Sequence, residues 1–223
     1  MTSNSGLRVA VELRDVHQRF GRKRVLRGID LSVEPGSSVV LTGANGAGKT
    51  TLLRVVATLL KPTSGTGSIC GLPLGEGDRI REHVGYVSSR GTLYDDLTAA
   101  ENLRFTARLM GARSSDQRID GLLEEAGLAR ARDQRVRTYS TGMRRRLSLA
   151  ALRLRPLDLV LMDEPYSGLD TEGMSMVDRM VGEFLHAGTT VILATHQAGE
   201  ATRLATAGYL IEHGRLVPAG ATD

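Results

Sequence analysis

The segment Gly43-Ala44-Asn45-Gly46-Ala47-Gly48-Lys49-Thr50 constrains this chain more than any other. Val39 to Leu41 before it is a short apolar run of strand type. Lys49 to Leu60 after it reads as a helix closed by Pro62. Strand, glycine loop and helix in that order fit the pattern G-x-x-x-x-G-K-[ST]. The glycines let successive backbone N–H groups turn inward, and the helix aims the positive end of its dipole the same way. The segment is therefore suited to a bound phosphate chain. Lys49 is expected to reach the β- and γ-phosphates of a nucleotide, and the Thr50 hydroxyl to ligate Mg²⁺. Lysine occurs elsewhere only at Lys23 and Lys61, so its place in this loop is not background.

The rest of the chain alternates strand and helix signals around that loop. Val9, Val11 and Leu13 alternate, as do Ile29, Leu31 and Val33, with a turn at Phe20-Gly21-Arg22-Lys23. After the middle of the chain, Leu157 to Met162 reads as a strand. Glu172 to Leu185 follows as an amphipathic helix, Thr190 to Thr195 as a strand, and Tyr209 to Val217 as a hairpin turning at His213-Gly214. Such alternation predicts an α/β fold with a parallel sheet covered on both faces. Residues 96–155 differ, being helical and rich in arginine. Thr98 to Met110 opens with Thr98 and Glu101 spaced as a capping box, and two further helices span Arg118 to Ala126 and Met143 to Arg155. This helical stretch reads as an insertion.

Leu159-Val160-Leu161-Met162-Asp163-Glu164 is an apolar strand ending in two acids. Carboxylates at that end of a buried strand lie where α/β sheets bind ligands. Beside a phosphate loop, Asp163 suits a Mg²⁺ contact through water, and Glu164 suits the base that orients an attacking water. Ser140-Thr141-Gly142 opens the third helix. Ser140 is a good N-cap, and a helix N-terminus is itself an anion site.

Bulk properties agree with a folded globular domain: 41% apolar and 24% charged residues. No run of 18 uncharged apolar residues exists, so the chain is not expected to cross a bilayer by itself. The opening Met-Thr-Ser-Asn-Ser-Gly has no charged and apolar regions of a leader. A single cysteine, Cys70, cannot form an internal disulfide, which suits a reducing cytosol. The net charge is +4, carried mostly by arginine. Arg130, Arg132, Arg135, Arg137, Arg144, Arg145 and Arg146 bracket Ser140. They read either as a solvated helical face or as an attractor of ATP and anionic headgroups.

With these motifs in order, the chain resembles the ATP-binding subunit of ABC transporters along nearly its whole length. Ser140-Thr141-Gly142 stands at the family's signature, with Tyr139, Thr141 and Met143 where Leu, Gly and Gln are usual. Ser167-Gly168-Leu169-Asp170 resembles the D-loop, His196 the switch histidine on the γ-phosphate, and Phe20 the aromatic that stacks on adenine. The resemblance implies a P-loop NTPase core with an N-terminal antiparallel β subdomain and an inserted α-helical subdomain. One domain would cover 1–223, the core about 1–95 and 156–223, and the helical part about 96–155. It implies ATP and Mg²⁺ as cofactors, with nucleotide contacts from Phe20, from Gly43 through Thr51, and from Ser140 and Gly142. Thr50 and Asp163 would hold the metal, and Glu164, His196 and Lys49 would serve catalysis.

The resemblance further implies a homodimer that sandwiches ATP and a separate transmembrane permease, at the cytoplasmic face of the cell membrane. No nucleic acid is expected, because the long coiled-coil insertions or tandem nucleotide domains of the soluble ABC-type ATPases are missing. The wording of Leu93 to Leu103 and of Asp163 to Asp170 is similar to the haem exporters of cytochrome c maturation. Drug-resistance exporters, which share much of it, are the alternative. One position departs from the family: Ser89 stands where a glutamine usually approaches Mg²⁺ and water, so it is left out of the metal ligands.

Overall fold

A computed structural model describes residues 9–88, 93–196 and 204–219. Ser89 falls outside the described residues. The chain divides into two compact units, one built from Met1–Tyr86, Leu157–Glu164 and Val181–Asp223, the other from Val87–Pro156 and Pro165–Met180.

In the first unit, β1 (Val11–Phe20) and β2 (Lys23–Val33) form an antiparallel hairpin over Gly21-Arg22, with Phe20 opposite Lys23. Their inward residues, Val11, Leu13, Val16, Leu26, Ile29, Leu31 and Val33, join the core. Next come β3 (Ser38–Thr42), α1 (Lys49–Val56), β4 (Ser64–Ile69), β5 (Leu72–Pro73), a short α2 (Gly77–Arg81) and β6 (Val84–Val87). Later in the chain lie β7 (Leu159–Asp163), β8 (Thr190–Ala194), β9 (Ala207–Glu212) and β10 (Arg215–Pro218). One sheet has the order β2-β1-β4-β5, and the second the order β10-β9-β3-β8-β7-β6. In the second sheet β3 pairs in parallel with both β8 and β9, and β7 in parallel with β8. β3, β7 and β8 are apolar nearly throughout and buried, as strands covered on both faces must be. The fold is thus α/β with a mainly parallel central sheet and an antiparallel sheet at the N-terminal side. The hairpin at His213-Gly214 closes through two residues of positive φ, 49° and 77°.

Two expectations need correction, and one strand was missed. The helix after the glycine loop stops at Val56, short of Leu60. Thr58 takes a left-handed φ of 57°, its N–H bonds the Val55 carbonyl and the Leu59 N–H bonds that of Arg54, which together make a Schellman stop without glycine. The helix expected from Met143 to Arg155 begins at Thr141 and ends at Ala150, giving way to a 3₁₀ turn over Ala151–Arg153. Lastly, β4 was not anticipated. Its sequence Ser-Gly-Thr-Gly-Ser-Ile reads as a loop, yet a Cβ on Gly65 or Gly67 would collide with the β1 carbonyls of Asp15 or Glu12. Glycine here permits close strand approach.

The second unit holds α3 (Ala99–Leu109), α4 (Asp116–Glu125), α5 (Thr141–Ala150) and the first part of α6 (Thr171–His186). The capping box of α3 is formed, Glu101 bonding the Thr98 N–H at 2.8 Å and Thr98 the Glu101 N–H at 3.2 Å. Ser115 caps α4 in the same manner on one side. Val177, Met180 and Val181 are buried along α6, as its helical spacing requires.

Candidate active site

Because β3, β8 and β7 run parallel, their carboxyl ends meet at one edge of the sheet. Leu41 is in register with Ala194, and Ala194 with Asp163. The glycine loop leaves β3, Glu164 follows β7, and Thr195-His196 follows β8. The ladder continues past the strands: the Thr195 N–H bonds the Leu41 carbonyl at 3.0 Å and the Glu164 N–H bonds the Ala194 carbonyl at 2.7 Å. Topology alone therefore gathers residues more than 100 positions apart.

The loop is a backbone cradle. Gly43 has φ 140°, and a Cβ there would stand 2.5 Å from the Ile211 carbonyl oxygen of β9, so no other residue fits. Gly48 is the N-cap of α1, with φ 120° and no side chain to satisfy the first helical N–H groups. Those donors remain directed at whatever anion the loop takes. Lys49 is buried, and its Nζ donates to the carbonyls of Gly43 at 2.7 Å and Ala44 at 3.3 Å, which stretches it back across the loop. Ala44, Asn45, Gly46 and Ala47 complete the turn, and Thr51 follows on α1.

Thr50 donates its hydroxyl to Asp163 Oδ2 at 2.8 Å, and Asp163 is buried. A hydroxyl and a carboxylate at this separation form a hard-oxygen donor pair of the kind Mg²⁺ takes when phosphates supply further ligands. Among the described residues no group of three His, Cys, Asp or Glu side chains could hold a metal.

Glu164 has a left-handed backbone, φ 52°, rare for a side chain of its size and a mark of local strain held by surrounding structure. Its Oε2 receives His196 Nδ1 at 2.9 Å, the Thr195 hydroxyl at 3.3 Å and the His196 N–H at 3.4 Å. Its Oε1 lies 3.8 Å from Lys49 Nζ. The structure thus joins Lys49, Thr50, Asp163, Glu164 and His196 into one cluster. Thr195 belongs to it as well, and only its place after a strand ending at the same sheet edge could have pointed to it. Phe20 stands at the end of β1, 51% exposed.

Ser140 and Gly142 lie in the second unit. The Ser140 hydroxyl accepts the Met143 N–H at 3.2 Å and so caps α5. Gly142 packs so closely on its own chain that an added Cβ would be 3.0 Å from the Gly168 carbonyl, while Thr141 lies against Gly168. Tyr139 is buried and its hydroxyl donates to the Ala131 carbonyl at 2.7 Å; burial and the Asp133 carboxylate push its phenol up. The arginines near Ser140 are not one patch. Arg132 pairs with Asp120 and Asp133, Arg137 with Asp96, and Arg144 with Asp95. Arg145 is buried, donating to the Ser88 carbonyl at 2.7 Å and the Pro165 carbonyl at 3.3 Å. It is an internal tie, which neither the solvated-face nor the anion-attractor reading foresaw.

Comparison with known proteins points to one family. Residues 26–167 match the family described as ABC transporter. The "Nod factor export ATP-binding protein I" of Cupriavidus metallidurans is 38% identical over 94% of this chain and 70% of its own length. The "Daunorubicin/doxorubicin resistance ATP-binding protein DrrA" of Streptomyces peucetius is 37% identical over 96% of this chain and 66% of its own length. The chain therefore spans about two thirds of these relatives. Among solved structures, an ATP-binding subunit of an ABC transporter superposes with TM-score 0.85 at 29% identity, covering 93% of this chain and 88% of that one. A dimeric ATP-binding cassette in a post-hydrolysis state with ADP and Pi gives TM-score 0.84 at 26% identity, covering 92% and 96%. The chain belongs to the ABC transporter family, as an ATP-binding, ATP-hydrolysing domain.

Proposed function

We propose that this chain is the energising subunit of an exporter for bulky organic molecules, working as a dimer with a separate membrane permease. The observation that carries the hydrolytic part is Glu164, strained at φ 52°, bonded by Thr195 and His196 and 3.8 Å from Lys49. In this reading Lys49 and the loop N–H groups bind the β- and γ-phosphates. Glu164 orients the attacking water, and His196 holds the Glu164 carboxylate and meets the γ-phosphate. Thr50 and Asp163 would hold Mg²⁺, which neutralises charge on the phosphate oxygens. Phe20 stacks on adenine. Ser140 and Gly142 of a second copy close over the γ-phosphate, so nucleotide joins two subunits at the cytoplasmic face of the membrane.

The choice of cargo class follows the relatives, named for Nod factor export and for daunorubicin resistance. They support the drug-exporter alternative more than haem export, so the haem-export reading is not carried further. No described helix is long and apolar enough to cross a membrane, in keeping with a permease on another chain. The test is ATP-driven daunorubicin uptake into inverted vesicles containing this chain and its permease. Uptake that is lost with Lys49→Ala supports the reading. Normal uptake with that variant overturns it.

A further inference from the structure

The β1–β2 hairpin carries a second feature that nucleotide hydrolysis does not use. A cavity of about 530 Å³ lies in the first unit, lined by His17, Gln18, Arg19, Arg22, Arg24 and Leu26 together with Thr63 and Ser64. Arg19 and Arg24 are direct partners across the two strands. Like charges facing each other on neighbouring strands destabilise a sheet unless something compensates them. Elsewhere this chain supplies acids: Arg14 pairs with Glu12, Arg104 with Asp116, Arg132 with Asp120, Arg144 with Asp95 and Arg153 with Glu125. Among the described residues, Arg19, Arg22 and Arg24 make no such pair. The nearby carboxylate, Asp15, is taken by His17 Nε2 at 2.8 Å.

A second observation concerns Gln18, which pairs with Leu26 across the strands and is 5% exposed. Its Nε2 donates to the Arg19 carbonyl at 3.1 Å, but its Oε1 is buried with no hydrogen-bond partner. A buried acceptor left this way costs the hairpin stability. Beside it, the Thr63 hydroxyl accepts the Arg19 N–H at 3.1 Å and so fixes the rim.

We propose that this cavity is a binding site for a phosphomonoester, separate from the glycine loop. Three guanidiniums match the planar, multidentate recognition of phosphate oxygens. A phosphomonoester near neutral pH, with a second pKa of about 6, carries a charge of about −1.5 to −2. That charge complements three guanidiniums better than the single charge of a carboxylate does. The volume exceeds what a bare phosphate fills and lies within the roughly 300–1,000 Å³ of small-molecule sites, leaving room for the esterified group. The ester could be a free metabolite or a lipid headgroup, since the chemistry recognised is the same. The inference does not rest on the transport reading.

The test uses the full chain with its glycine loop saturated by ADP. Calorimetry with glycerol 3-phosphate probes the free ester, and flotation with phosphatidylcholine vesicles doped with phosphatidic acid probes the headgroup. The account expects binding in at least one arm, and the arm that binds identifies the source. Arg22→Ala with Arg24→Ala, both exposed positions, should weaken it about tenfold or more. The charge-matched pair Arg108→Ala with Arg113→Ala should leave it unchanged. Arg19→Ala should weaken glycerol 3-phosphate or headgroup binding while the ADP affinity of the glycine loop stays the same. No binding in either arm, or equal loss in both double variants, overturns the proposal.

Discussion

The Thr50 hydroxyl donates to Asp163 Oδ2 at 2.8 Å, across 113 positions of sequence. The bond joins the first turn of α1 to the end of β7, and it places the two oxygens proposed to hold Mg²⁺ in one spot. Thr50→Val keeps the shape and deletes the donor. We expect a loss of about 1–3 kcal/mol in stability, because a buried carboxylate forfeits one of its bonds. The Mg²⁺ concentration needed for half-maximal ATPase activity should also rise. Thermal unfolding and a Mg²⁺ titration check the two effects, and an unaltered Mg²⁺ requirement would remove Thr50 from the metal site.

Two glycines of the same loop should respond differently to substitution. At Gly43 a new Cβ meets the Ile211 carbonyl at 2.5 Å, so Gly43→Ala must displace either the loop or β9. At Gly46, φ is 81° but nothing lies within 4 Å. Gly46→Ala should cost only the backbone strain, about 1–2 kcal/mol, and Gly43→Ala clearly more. Denaturant melts of the two variants, beside ADP affinity, measure the difference.

Cys70, at the turn from β4 to β5, has its thiol pushed up to about 11 by burial and by the Asp158 carboxylate. The thiolate is the reactive form, so alkylation by iodoacetamide should stay slow through pH 8–9 and accelerate only as pH approaches the raised value. A rate profile with its midpoint near the ordinary 9.0 would contradict the buried placement.

Arg145 makes a prediction that its sequence context conceals. Its guanidinium donates to the carbonyls of Ser88 and Pro165 from inside the second unit. Arg145→Met fills much of the space but leaves those carbonyls without their charged donor, at a cost of about 1.5–3 kcal/mol. Arg137→Met, whose side chain is more than half exposed and whose acid partner Asp96 lies at 3.3 Å, should change stability by less than about 1 kcal/mol. Chemical denaturation separates the two.

That contrast shows what was legible in the sequence. The glycine loop could be read because its strand, turn and helix are consecutive and its chemistry is local. Asp163 and Glu164 could be read because an apolar strand ends on them. The capping box of α3 and the turn at His213-Gly214 are likewise short-range. Long-range facts were hidden. Arg145 is buried beside Arg144, which is ion-paired, and nothing in a run of arginines tells them apart. Thr195 joins Glu164 only because β7 and β8 are neighbours. β4 is strand only because β1 lies against its glycines, and Thr58 ends α1 without the glycine that usually announces such a stop.

The central claim is that Glu164, held by Thr195 and His196 beside the lysine of the loop, activates the water that hydrolyses ATP. Glu164→Gln preserves size and removes the charge. The most direct measurement is steady-state ATPase activity of this variant, with ATP affinity and ATP-dependent dimerisation followed in parallel by size exclusion. The account predicts retained ATP binding, a dimer that persists in ATP, and turnover reduced roughly 10²–10⁴-fold. Turnover near that of the unmodified chain would contradict it.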